Sequence, residues 1–237
     1  MGPKNFPQAL KRALMLRALA GTAEAVPFQD AVHATSSGAG KIGLVPDFCT
    51  LTPDTMRLFI GIPLAAEVID GLERLSHSLR SADDRLRWMS AESWHITLQF
   101  LGETSQERYN CLVPRLREIA WVSPSIQVGG LGVFDRAGVF FADVHVSPEL
   151  GQLQRSVVAA TAKCGCSAED RPFHPHITLA RAKGDDRMHA LRKLKKRVSL
   201  NLEFTPFTAT EFLLYEAFLD PRGSRYEVRE RFPIVDR

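Results

Sequence analysis

With 237 residues, 45% of them hydrophobic and 24% charged, the chain has the balance of a soluble globular protein able to bury one substantial core or two small lobes. A formal net charge of +3 suits a phosphate-bearing ligand and excludes a histone-like polycation. No apolar run approaches the length of a membrane span, so no membrane partner is expected.

Residues 1–55 differ from the rest. They carry one short helical pattern, Phe6 to Ala20, and then a passage rich in Gly, Ser, Ala and Pro. The basic opening, with no acid before Glu24, also fits an organelle transit peptide, although an extension too poor in apolar surface to fold alone is the simpler expectation. The folded domain is then expected over residues 56–237.

From Met56 onward the signals are regular. "RLFIGIPL" reads as a strand closed by Pro63, and Val68, Leu72, Leu75 and Leu79 then recur at helical spacing. "LRWM" and "WHITLQFLGE" read as strands around a Ser/Glu turn, the second ending at Gly102. A helix carrying Leu112, Leu116 and Ile119 is expected to start near Thr104 or Ser105, either of which could cap it. "GVFFADVHV" reads as a strand, and Leu150, Leu153, Val157 and Thr161 mark one side of the next helix. "HPHITLAR" is a strand entered through Pro175, followed by the basic helix "DDRMHALRKLKKRVS". "ATEFLLYEAFLD" and "SRYEVRERFPI" form a hairpin across "DPRG". Each half thus contains a strand, a helix and a strand bearing the tetrapeptide HITL.

In a strand, alternate side chains share a face, so His95 and Thr97 lie together, about 7 Å apart, with Ile96 and Leu98 on the opposite side. His176 and Thr178 stand in the same relation to Ile177 and Leu179. If the halves pack about a pseudo-twofold axis, two imidazoles and two hydroxyls meet in one cleft. One neutral and one protonated imidazole can share proton transfer across a phosphodiester, since an unperturbed pKa near 6.5 leaves both forms accessible. The threonines can donate hydrogen bonds to phosphate oxygens, and Arg181 is the candidate for balancing charge. Strict alternation points Arg181 away from Thr178, so it needs a bulge or a strand end to enter the cleft.

The other histidines, His33, His77, His145, His174 and His189, lack such pairing and read as surface or structural, with His174 a candidate support for His176. "LRKLKKR" reads as a solvated helix face, and the acid pairs at 83–84 and 185–186 as turn and helix-start residues. Cys49, Cys111, Cys164 and Cys166 have neither the density of a disulfide framework nor zinc spacing, so they are expected to be reduced thiols in a cytoplasmic protein. No metal signature or phosphate loop is present, so no metal and no cofactor are expected.

Paired His-x-Thr motifs in a duplicated frame resemble the 2H phosphoesterase superfamily. "MRLFIGIPL", "WHITLQFLGE", "HPHITLAR" and "FLLYEAFLDPRGSRYEV" are similar to the RNA 2',3'-cyclic phosphodiesterases, also called 2'-5' RNA ligases, from Met56 to the C-terminus. The resemblance implies an α+β fold of two pseudo-symmetric lobes, each an antiparallel sheet with helices on its outer face, around a central cleft. It implies His95 as proton donor, His176 as proton acceptor, and Thr97, Thr178 and Arg181 as phosphate-binding groups in a metal-free hydrolysis of a 2',3'-cyclic phosphate to a 2'-phosphate. Reversible 2'-5' RNA ligation is the same chemistry with an RNA hydroxyl replacing water. The implied partner is RNA with a cyclic phosphate end or a small cyclic nucleotide, and a monomer is expected. Phe140 stands where relatives are expected to carry Trp, which leaves base stacking open. Two rivals remain: a phosphodiesterase for another 2'-5' or cyclic nucleotide, and a non-catalytic RNA- or nucleotide-binding relative.

Overall fold

A computed structural model describes residues 55–81, 86–182, 184, 187–197, 204–220 and 223–233. The Phe6–Ala20 helix and nearly all of the expected N-terminal extension lie outside the described residues.

In chain order the elements are β1 (Thr55–Pro63), α1 (Ala66–Leu79), β2 (Leu86–Trp88), a 3-10 turn (Ala91–Ser93), β3 (His95–Ser105), α2 (Gln106–Arg117), β4 (Ser125–Ile126), β5 (Val128–Phe134), β6 (Val139–Val144), α3 (Pro148–Ala162), β7 (His176–Ala182), α4 (Arg187–Arg197), β8 (Phe207–Thr208), β9 (Glu211–Asp220) and β10 (Gly223–Pro233). They build an α+β fold with two four-stranded antiparallel sheets, ordered β10-β9-β1-β3 and β2-β7-β6-β5, and a small β4-β8 pair. The HITL strands are β3 and β7.

The helical spacing predicts the buried faces well. Val68, Leu72, Leu75 and Leu79 are all buried, as are Leu112 and Leu116, and Leu150, Leu153, Val157 and Thr161. Ser105, not Thr104, caps α2: its hydroxyl accepts from the Arg108 N–H, while Thr104 donates to the Gly102 carbonyl. Ser147 caps α3 in the same way by accepting from the Leu150 N–H. One continuous core takes Leu58, Ile60, Ile96 and Leu98 from the first sheet and Phe140, Ala142, Ile177 and Leu179 from the second. Burial of each such side chain is worth about 1.5–3 kcal/mol, so the two sheets are joined by hydrophobic packing along most of their length.

The structure departs from the sequence expectations in four places. β3 does not stop at Gly102: that glycine takes a φ of 71°, the register with β1 shifts there, and pairing resumes through Ser105. The two halves also exchange strands, since β2 from the first half edges the second sheet and the β9–β10 hairpin completes the first. β5 carries no clear apolar alternation because Gly129, Gly130 and Gly132 interrupt it. Finally, not all the cysteines are thiols. Cys111 on α2 and Cys164 just after α3 form a disulfide, because these helices pack together and bring the two Cα atoms to 5.9 Å. Cys166 remains a buried thiol, and Cys49 lies outside the described residues.

A buried polar link also ties the lobes. The Thr161 hydroxyl on α3 donates to Gln99 Oε1 on β3 at 2.8 Å, and Gln99 Nε2 donates to the Ser167 carbonyl. Both side chains are almost fully buried. Thr161→Val strands the Gln99 oxygen and is expected to lower unfolding free energy by about 1–3 kcal/mol. Urea denaturation checks this, and adding Gln99→Leu to the first change should cost less than the two single losses summed.

Candidate active site

β3 and β7 each begin on a histidine, and each carries one extra residue at the same place in its motif. On β7, His176, Thr178 and Arg181 face Asp143, Phe141 and Val139 of β6, with a register shift between Phe140 and Phe141. The residues on β6 are two apart at each step, whereas Thr178 and Arg181 are three apart. The bulge at Leu179 therefore reverses the alternation and puts Arg181 on the histidine face. On β3, His95, Thr97 and Phe100 face Pro63, Gly61 and Phe59 of β1, with the bulge at Leu98. Phe100 is thus the positional counterpart of Arg181, and it is 46% exposed. Gln99, which simple alternation would have placed beside Thr97, turns into the core instead.

Each imidazole stands on an aromatic floor. The His95 ring lies 4.6 Å from Phe59, 5.6 Å from Tyr215 and 5.3 Å from Tyr226, centroid to centroid. The His176 ring lies 5.0 Å from Phe134 and 5.3 Å from Phe141. These rings form two small clusters separate from the main core, one on each sheet. Two glycines make the fit possible. A Cβ on Gly61 would come within 2.9 Å of the Ile96 carbonyl, and one on Gly132 within 2.4 Å of the Phe141 ring. Phe140, by contrast, is buried on the core side against Trp88 and is not a cleft surface.

The two rings are oriented alike. His95 Nδ1 lies 2.8 Å from the Ser93 carbonyl, and His176 Nδ1 lies 2.8 Å from the His174 carbonyl. A carbonyl only accepts, so each Nδ1 carries a hydrogen and each neutral ring keeps its lone pair on Nε2. His174 in turn pairs through Nε2 with Asp143 at 2.9 Å, so its place beside His176 is structural support as well as sequence proximity.

Burial is the main influence on both imidazoles. It pulls the His95 pKa down to about 4; the Ser93 carbonyl opposes this, and charge on His176 and Arg181 adds to it. The His176 pKa is also lowered, chiefly by burial, with the His174 carbonyl opposing, His174 and Arg181 adding, and Asp143 opposing. Arg181 is itself largely desolvated, and it interacts with Tyr226 from the other sheet. The paired histidines and Arg181 therefore sense one another across one cleft. Among the described residues no group of three or more His, Cys, Asp or Glu side chains could hold a metal ion. No described helix is long and apolar enough to cross a membrane.

Two antiparallel sheets presenting matched His-x-Thr strands to one cleft define the 2H phosphoesterase class of α+β fold. Comparison places the chain within it. The sequence profile of the 2'-5' RNA ligase superfamily matches residues 63–217. The RNA 2',3'-cyclic phosphodiesterase of Geobacillus stearothermophilus is 31% identical over 182 residues, which are 75% of this chain and 57% of that protein. That of Aeropyrum pernix is 30% identical over 164 residues, 68% of this chain and 93% of that protein. The crystal structure of E. coli LigT complexed with 3'-AMP superposes with a TM-score of 0.65 at 27% identity, covering 77% of this chain and all of that one. The chain belongs to the 2'-5' RNA ligase superfamily, a family of enzymes.

The depressed His95 pKa has a consequence for stability. Between about pH 6.5 and pH 4 the unfolded chain holds a proton on this ring that the folded chain does not, so stability falls as pH falls through that window. Urea denaturation at pH 7 and pH 4.5 should show a smaller acid loss for His95→Asn than for the wild type, by on the order of 1–2 kcal/mol. Parallel pH dependences for the two proteins would contradict the assignment.

Proposed function

We propose that the protein hydrolyses 2',3'-cyclic phosphate ends of RNA to 2'-phosphates, with His95 and His176 as paired acid and base and without a metal. The observation that carries this reading is the matched presentation of two Nε2 atoms, each fixed by a carbonyl behind its ring, to one cleft with Arg181, on strand faces whose register they share with Thr97 and Thr178. The names of the relatives support the substrate class.

In this mechanism water attacks phosphorus while neutral His176 takes its proton at Nε2. The bond from phosphorus to O3' breaks, and protonated His95 passes its Nε2 proton to that oxygen. Thr97 and Thr178 donate hydrogen bonds to the non-bridging oxygens, and the Arg181 guanidinium balances the charge that grows on them. The two rings are presented in the same way, so the division of donor and acceptor roles rests on the resemblance to the family. Desolvation makes His95, once protonated, a strong proton donor. A phosphate anion in the cleft offsets the burial and the Arg181 charge that oppose its protonation.

Replacing water by an RNA hydroxyl in the same geometry gives reversible 2'-5' ligation. The exposed Phe100 ring offers stacking surface to a terminal base. The partner is a single-stranded RNA end or a small cyclic nucleotide, engaged by a monomer. A cytoplasmic site of action fits an RNA substrate, and there the Cys111–Cys164 bond meets a reducing pool that tends to open disulfides.

His95→Ala and His176→Ala are each expected to cut turnover of a 2',3'-cyclic nucleotide by roughly 10²–10⁴-fold, with the far-ultraviolet spectrum preserved. Wild-type activity should persist in excess EDTA. Near-normal turnover by either variant, or recovery that requires added metal, would overturn the two-histidine mechanism.

A further inference from the structure

Arg181 has an unusual neighbour. β2 pairs antiparallel with β7 in the register Leu86 to Ala182, Arg87 to Arg181 and Trp88 to Ala180. Directly paired residues point to the same face, so Arg87 shares the cleft side with Arg181, while Trp88 packs edge-on to Phe140 on the core side. Like charges placed directly opposite on a strand pair are destabilising. Here one of the pair is also largely desolvated, and Arg87 charge counts against the charged form of Arg181. Among the described residues neither guanidinium forms an ion pair with a carboxylate, and the group acting favourably on Arg181 is the Tyr226 phenol. By itself this pairing of like charges is a cost to folding. An anion brought by the substrate would give it a purpose.

The reacting phosphate does not need both arginines. A cyclic phosphodiester has two non-bridging oxygens and one charge. The Thr97 and Thr178 hydroxyls and the fork of Arg181 already supply those oxygens with donors. Arg87 lies one strand further from β3, at the edge of its sheet. Cross-strand partners hold their Cβ atoms about 4.5–5.5 Å apart, so two splayed guanidiniums can serve two neighbouring phosphates of one strand.

We infer that Arg87 forms a second phosphate subsite, holding the internucleotide phosphate on the 5' side of the terminal nucleotide while the reacting cyclic phosphate lies against Arg181. The cleft thereby selects an RNA end over a free cyclic mononucleotide, through a contact that reads backbone charge and no base. This rests on the cyclic phosphodiesterase reading and deepens it by specifying the substrate as an oligonucleotide.

The test uses three probes with the full-length protein: 2',3'-cyclic AMP, the dinucleotide ApA with a 2',3'-cyclic phosphate end, and the same dinucleotide with a neutral methylphosphonate linkage. The wild type is expected to favour the charged dinucleotide over the neutral one by tenfold or more in kcat/KM, mainly through KM. Arg87→Gln should collapse that preference, and Arg87→Lys should restore part of it. Arg181→Gln should lower turnover of all three probes together. The wild-type comparison of charged and neutral linkages needs no variant, so a misfolded variant cannot hide the answer. Equal wild-type turnover of the two dinucleotides would overturn the subsite. So would an Arg87→Gln loss of the same size on all three probes, which would place Arg87 on the reacting phosphate. If the wild type turned over none of the probes, the phosphodiesterase reading would fail, and the same three compared by equilibrium binding would still decide the role of Arg87.

Discussion

One extra residue in each of two strands governs the cleft. Leu98 in β3 and Leu179 in β7 each stand unpaired against a partner strand that keeps its own two-residue rhythm. Without these bulges Arg181 and Phe100 would turn toward the core, and Gln99 would leave the core for the cleft. The first change would bury a guanidinium among Ile177 and Leu179 with no partner, which is costly for any charge. The second would break the Thr161–Gln99 link between the lobes. A local irregularity of backbone thus reaches both the chemistry and the joint between the two halves.

The aromatic floors and the carbonyls behind the rings act together on the histidines. Phe59, Tyr215 and Tyr226 on one sheet, and Phe134 and Phe141 on the other, remove water from one side of each imidazole and lower its proton affinity. The Ser93 and His174 carbonyls hold the Nδ1 hydrogen and leave Nε2 to the cleft. Neutral rings with a fixed tautomer are prepared to accept a proton, and a bound anion would prepare one of them to give it. Arg87 extends the same logic outward: it has no carboxylate partner among the described residues, and the nucleic acid backbone would supply the opposite charge.

Much of this is legible in the residues, for physical reasons. Helical spacing marks the faces of α1, α2 and α3 because burial follows period directly, and HITL marks β3 and β7 because inward aliphatics alternate with cleft-facing polar groups. Even the need for a bulge follows from the three-residue step between Thr178 and Arg181. What lies beyond the sequence depends on pairing. β5 is masked by its glycines, of which Gly132 admits the Phe141 ring, and the transfer of β2 to the second sheet is set by long-range strand pairing. The Cys111–Cys164 bond reflects how α2 and α3 pack, which cysteine spacing does not encode. Arg87 carries no motif at all, and its meaning appears only when the register sets it beside Arg181.

In the proposed mechanism two imidazoles on opposed strands cleave one bond to phosphorus with water as the nucleophile. The most direct measurement is product analysis by phosphorus NMR after incubating a cyclic-phosphate-ended oligonucleotide in ¹⁸O-labelled water. The two-histidine mechanism predicts a single 2'-phosphate terminus carrying one labelled oxygen on phosphorus. A 3'-phosphate product, or a 2'-phosphate without the label, would contradict it.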